Sequence, residues 1–191
     1  MAAKEMNTSS FEVKSLGFSY PTRVPHRSFF MTQVIFRVLA VAFTVASISV
    51  MVTSDQNVLV FGVRTRARYS YSSAFKFLVG ADAVVSGFSV LSLIFVCLGS
   101  RPTAQFMNCF YLFLHDMAMM VLLISGCSAA TAIGYVGRHG AKQMTWVPVC
   151  DYVGKFCNRV MASLALSYLA FLCYLALVNF SAYKLMIRPT D

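Results

Sequence analysis

Three ionisable residues, Arg37, Asp82 and Asp116, interrupt otherwise apolar stretches of the chain. Charges in such stretches are costly in hydrocarbon and mark sites until another role is found. A guanidinium and a carboxylate at one depth suit either a proton or ion relay or a bundle-internal ion pair that fixes helix register. A relay needs titratable groups across the whole bilayer, and one neutralised pair does not supply them. An intramembrane ion pair is therefore the expected role of Arg37 and Asp116. Asp82 has no partner legible in the sequence, because Lys76 is six residues away and off its helical face. Its contact is expected on another helix or another subunit.

Cys150 and Cys157 are the plausible disulfide, since Cys97, Cys109, Cys127 and Cys173 lie in or at the ends of apolar stretches. A bridge there requires an oxidising compartment, which places that loop outside and both termini in the cytosol. Arg64, Arg66 and Arg68 alternate with Thr65, Ala67 and Tyr69. That period of two suggests a short strand with an arginine face, suited to carboxylates or other polyanions. Trp146 stands near the cysteines, where an amphipathic ring settles at the membrane interface. His26, His115 and His139 lie in different regions. His115 adjoins Asp116 but points about 100° around the helix, so it is expected to pack rather than bind a metal. No nucleophile with its base, metal cluster, phosphate loop or dinucleotide fingerprint stands at workable spacing, so neither catalytic residues nor a metal or other cofactor is expected.

Four hydrophobic runs, about 29–53, 74–98, 107–134 and 160–182, must position these residues. Each matches the ~20 residues that a helix needs to cross ~30 Å of hydrocarbon. The chain is 58% hydrophobic and 12% charged, against roughly 25% charged in soluble proteins. The expected fold is an all-α membrane protein, a bundle of four transmembrane helices with short extracellular loops and a small β element in the first of them. Residues 1–28 read as a flexible cytosolic tail without a cleavable signal, 29–182 as the membrane domain and 183–191 as a short cytosolic tail. Arg37 and Asp116 each fall about 12–14 Å into helices that run in the same direction, at similar depth.

Loop charge does not decide orientation, because lysines and arginines are spread over both sides. Net charge +9 is scattered rather than gathered in a stripe with stacking aromatics. Anionic lipid headgroups are thus a simpler partner than nucleic acid. Gly126, Ala130 and Gly134 form a small-residue stripe on the third helix that lets another helix approach closely, for bundle packing or self-association. Ala42 and Ala46, Ala83 and Gly87, and Ala162, Leu166 and Ala170 offer similar spacing on the other helices.

The ordered combination of Arg37, the Ser73–Gly87 stretch opening the second helix, Asp116, Trp146, Cys150 and Phe156–Cys157 resembles the CASP-like (Casparian strip membrane domain protein-like) plant proteins, a four-span group related to the MARVEL domain. The resemblance covers about residues 30–182. It implies a plasma-membrane protein with cytosolic termini, assembling with itself and its relatives, with Arg37 and Asp116 as the family's intramembrane pair. It also implies a non-enzymatic scaffold that positions cell-wall-modifying enzymes. The loop Asp55–Ser72 lacks the signature of barrier-forming members, so the resemblance is to the broader CASP-like group. A channel or transporter subunit and a MARVEL-type vesicle-trafficking protein are the competing functions.

Overall fold

The computed structural model describes residues 26–60, 63–98, 105–140 and 148–187, with side chains at 31–56, 68–94, 110–140 and 148–186. Four long helices carry the chain: α1 (His26–Val52), α2 (Ser73–Leu98), α3 (Gln105–His139) and α4 (Gly154–Ile187). All four are long and apolar enough to cross a membrane. Between α1 and α2 lies an antiparallel hairpin, β1 (Asp55–Val60) and β2 (Val63–Arg68). Its register pairs Asp55 with Arg68, Asn57 with Arg66 and Leu59 with Arg64.

Helices win in this sequence because hydrocarbon offers no partner for the backbone and a helix satisfies its own N–H and C=O groups. The ends of the apolar runs do not set the ends of the helices. α1 starts at His26, α3 continues to His139, and α4 extends from Gly154 to Ile187. These extra turns need no lipid. In α3, Arg138 and His139 occupy the last turn, where cations oppose the negative end of the helix dipole. Gly140 then takes φ 69°, and its N–H reaches the Val136 carbonyl at 2.8 Å. That left-handed cap favours glycine. The N-terminal tail expected over residues 1–28 lies almost wholly outside the described residues, and α4 takes up part of the expected C-terminal tail.

The helices form a square in chain order: α1 packs on α2 and α4, and α3 packs on α2 and α4. Two apolar layers fill the interior. One gathers Ala40, Val85, Leu123, Ala170, Tyr174 and Leu177, and the other Met51, Phe75, Leu78, Cys127, Val160 and Leu164. Large apolar side chains such as Ile35, Phe88, Leu91, Leu114, Val121 and Leu172 point outward. A surface of that kind suits lipid and not water. Exposed hydroxyls do not spoil it, because they bond to their own helix: Ser86 donates to the Ala83 carbonyl at 2.9 Å and Ser125 to that of Leu122 at 2.8 Å.

The small-residue stripe of α3 lies inside the bundle at Gly126 and Ala130, both buried. A β-carbon on Gly126 would meet the Ala81 β-carbon at 3.3 Å and the Leu78 α-carbon at 3.5 Å. α2 and α3 are this close because Gly126 has no side chain. The other ridges turn outward: Ala42, Ala83, Gly87 and Ala162 are exposed, although Ala170 is buried. In α4 the inward face is Ser163, Ser167, Ala170, Tyr174 and Leu177. Gly126→Leu is expected to force α2 from α3 and cost about 1–3 kcal/mol, while Gly87→Leu, with nothing within 4 Å of its added β-carbon, leaves stability unchanged. Thermal unfolding in detergent micelles measures both, and equal melting of the two variants would contradict this packing.

Candidate functional site

Besides the part-buried hydrogen bond from Gln33 of α1 to Ser181 of α4 at 3.0 Å, buried polar side chains meet at three levels inside the bundle. At the first, Arg37 of α1 sends one terminal nitrogen to both carboxylate oxygens of Asp116 on α3, each at 2.8 Å. Its other terminal nitrogen donates to Ser92 Oγ of α2 at 2.8 Å. Arg37 and Asp116 are 1% and 0% exposed, so the pair is shielded from both lipid and water. His115 Nδ1 lies 3.4 Å from Asp116 Oδ1. Neighbours in a helix leave the backbone about 100° apart, but the imidazole crosses that gap. It also packs edge-on to Phe88 with ring centroids 6.2 Å apart.

α1 and α3 stand across a diagonal of the square, with little other contact. Arg is suited to this span, because its long stem crosses the interior and its fork neutralises a carboxylate. The second level uses the other diagonal: Tyr174 of α4 meets Ser89 of α2 through their hydroxyls, and Ser89 also donates to the Val85 carbonyl.

The third level supplies the contact of Asp82. Its Oδ2 accepts a hydrogen bond from Ser167 Oγ of α4 at 2.7 Å, again across the α2–α4 diagonal. Ser47 Oγ of α1 lies 2.8 Å from Ser167 Oγ and 2.9 Å from Ser163 Oγ. All four residues are buried. Sequence reasoning misses Ser47, Ser92, Ser163, Ser167 and Tyr174 as polar partners. The one signal present is the i, i+4 spacing of Ser163 and Ser167, which places both hydroxyls on one helical face.

At the end where α1 gives way to the hairpin, a cap closes over the helices. Cys150 and Cys157 are joined by a disulfide, with α-carbons 5.8 Å apart. Gln56 Oε1 on β1 accepts the Phe156 N–H at 2.9 Å, satisfying a backbone donor in the first turn of α4. Arg159 donates to the Thr53 carbonyl at 2.9 Å. Arg68 is exposed, with Nε 4.0 Å from Asp55 Oδ2. Arg64 and Arg66 occupy β2, but their side chains, like the whole of Trp146, lie outside the described residues. Against the disulfide sits an apolar cavity of about 240 Å³, lined by Phe75, Ile133, Gly134, Val153, Phe156 and Met161 among others.

The Casparian strip membrane protein domain matches residues 26–173. This chain belongs to that family. It is 68% identical over 178 residues to CASP-like protein 1F2 of Ricinus communis, covering 92% of this chain and 88% of that one. CASP-like protein 1F3 of Populus trichocarpa is 45% identical over 192 residues, 99% of this chain and 100% of the relative. CASP-like protein 1F2 of Vitis vinifera is 48% identical over 163 residues, 85% of each. No solved structure matches the chain.

In this CASP-like membrane protein, breaking the diagonal leaves one buried charge without its partner. Arg37→Ala and Asp116→Ala are each expected to cost about 3–5 kcal/mol, seen as lower abundance and earlier melting. Exchanging the two residues should recover part of the loss. Full tolerance of both alanine variants would remove the pair from its central role.

Proposed function

We propose that the protein is a non-enzymatic scaffold of the plasma membrane, which self-associates with like chains into membrane domains and presents its outer cap to cell-wall-modifying partners. The observation that carries the proposal is the outward ridge of α2. Ala83 and Gly87 are exposed there, and Gly80 and Gly87 have nothing within 4 Å of an added β-carbon. In lipid, helices associate through close backbone packing, which small residues permit. A single-chain ion conduit is less well supported, because Ala40, Val85, Leu123 and Ala170 fill the bundle between the polar levels.

The disulfide supports an extracellular cap, since such bonds persist in oxidising compartments. α1 enters the membrane from the opposite end, so both termini belong in the cytosol. The chain has an Asn-Thr-Ser sequence at Asn7; an N-linked glycan there in a native membrane preparation would reverse this orientation. The exposed Arg68 and the neighbouring arginines of β2 suit acidic groups on an extracellular partner.

A fluorescent fusion at native abundance in plant cells tests the scaffold directly. Recovery after photobleaching is expected to be slow in plasma-membrane patches, and Gly87→Leu should speed it several-fold without changing protein amount. Fast, uniform recovery of the unmodified chain would rule out the scaffold.

A further inference from the structure

We propose that Asp82, Ser47, Ser163 and Ser167 form a binding site for one small monovalent cation of sodium size. Asp82 is 0% exposed, and its Oδ1 has no hydrogen-bond partner. The carboxylate is met by neutral hydroxyls alone, Ser167 donating to Oδ2 at 2.7 Å with Ser47 also in reach. Among the described residues no cation pairs with Asp82, whereas the other buried carboxylate, Asp116, has Arg37. A buried carboxylate without a counter-charge is costly in hydrocarbon, and removal of that cost calls for one positive charge.

The charge is either a proton or a metal cation, and the oxygens around Asp82 favour the cation. Each serine hydroxyl has one proton to give. Ser167 donates to Asp82 Oδ2 at 2.7 Å and Ser163 to the Ser47 carbonyl at 3.1 Å, while Ser47 Oγ lies within hydrogen-bonding reach of the Ser163 carbonyl and of both serine hydroxyls. The cluster is left rich in oxygen lone pairs, with no donor for Oδ1. A proton on Oδ2, donated to Ser167 Oγ, would neutralise the acid but leave Oδ1 without a partner. A metal cation supplies the charge and uses the lone pairs together. Hard cations take oxygen ligands, and carboxylate, hydroxyl and carbonyl oxygens are what this cluster offers. A single carboxylate matches a single charge; a divalent ion would leave an excess positive charge in the bundle. Among the described residues no three His, Cys, Asp or Glu gather to hold a softer metal.

The bundle also favours a small ion. Its hydroxyl oxygens stand only 2.8–2.9 Å apart on α1 and α4, and the Asp82 carboxylate reaches them from α2. From the cap end, Met51, Phe75, Leu78, Val160 and Leu164 close over the site. A bound ion would therefore be occluded and slow to exchange. It would join α1, α2 and α4 at the end of the bundle remote from the Arg37 pair.

The test uses the full chain, purified in lipid nanodiscs and equilibrated overnight in choline chloride, potassium chloride or sodium chloride. Sodium is expected to raise the melting temperature by roughly 5 °C at saturation, and potassium to do so less. Radioactive sodium should bind at one ion per chain. Asp82→Asn should abolish both effects, and Ser47→Ala and Ser163→Ala should weaken sodium affinity by roughly tenfold. Because Asp82→Asn removes a buried charge and can alter folding by itself, binding to the unmodified chain and to the serine variants decides the matter. Identical melting and no bound sodium in the unmodified chain would overturn the proposal. So would melting that follows pH while ignoring sodium, which assigns Asp82 a proton, or sodium binding unchanged in all three variants.

Discussion

In hydrocarbon, a guanidinium and a carboxylate cannot wait for water to solvate them; each is tolerable only where the other is held within hydrogen-bonding reach. Arg37 and Asp116 impose that condition on the whole bundle, because their helices stand on opposite corners of a square and have little else in common. The depth of one helix fixes the depth of the other. α2 is brought into the same constraint through Ser92. Such a contact need not add net stability, but it penalises every alternative register.

The rest of the interior combines two kinds of contact. The sides of the square are joined by close contact, as where Gly126 meets Ala81 and Leu78, and also by the Ser47–Ser163, Ser47–Ser167 and Arg37–Ser92 hydrogen bonds. The diagonals are joined by polar side chains: Arg37 with Asp116, Ser89 with Tyr174, and Asp82 with Ser167. Lipid explains why polar contacts select which helix faces meet. Apolar side chains gain little from leaving one hydrocarbon environment for another, so they do not select partners strongly, whereas a polar group in hydrocarbon favours arrangements that satisfy it. The cap at the hairpin end draws the helix ends together by other means, through a disulfide and the Gln56 and Arg159 hydrogen bonds.

Much of this architecture is legible in the amino-acid sequence. The four helices follow from hydropathy and length, and the alternation around Arg64, Arg66 and Arg68 signals the strand that β2 forms. The meeting of Arg37 and Asp116 follows from equal depth on parallel helices, because charge in lipid leaves few alternatives. Which helix faces turn inward is less legible. Small residues at four-residue spacing read alike on all helices, yet Gly126 packs inside while Gly87 is open. Spacing identifies a face but not the direction it points; in membranes, neither inside nor outside differs enough in hydropathy to decide it. The serine cluster is hidden for a related reason. A lone hydroxyl on a helix usually bonds to its own backbone, as Ser86 does, so Ser47, Ser163 and Ser167 carry no individual signal.

Seventy-nine residues of sequence separate Arg37 from Asp116, and a ribosome makes them at about 5–20 residues per second. For some seconds of synthesis, the first helix exists while its counter-charge does not. During that interval the nascent chain carries an uncompensated cation that must be sheltered by the insertion machinery, by headgroups or by water at the interface. Arrival of the third helix supplies the counter-charge that Arg37 holds in the finished bundle. A chain cut short before α3 would display an unmet charge, a ready mark for membrane quality control.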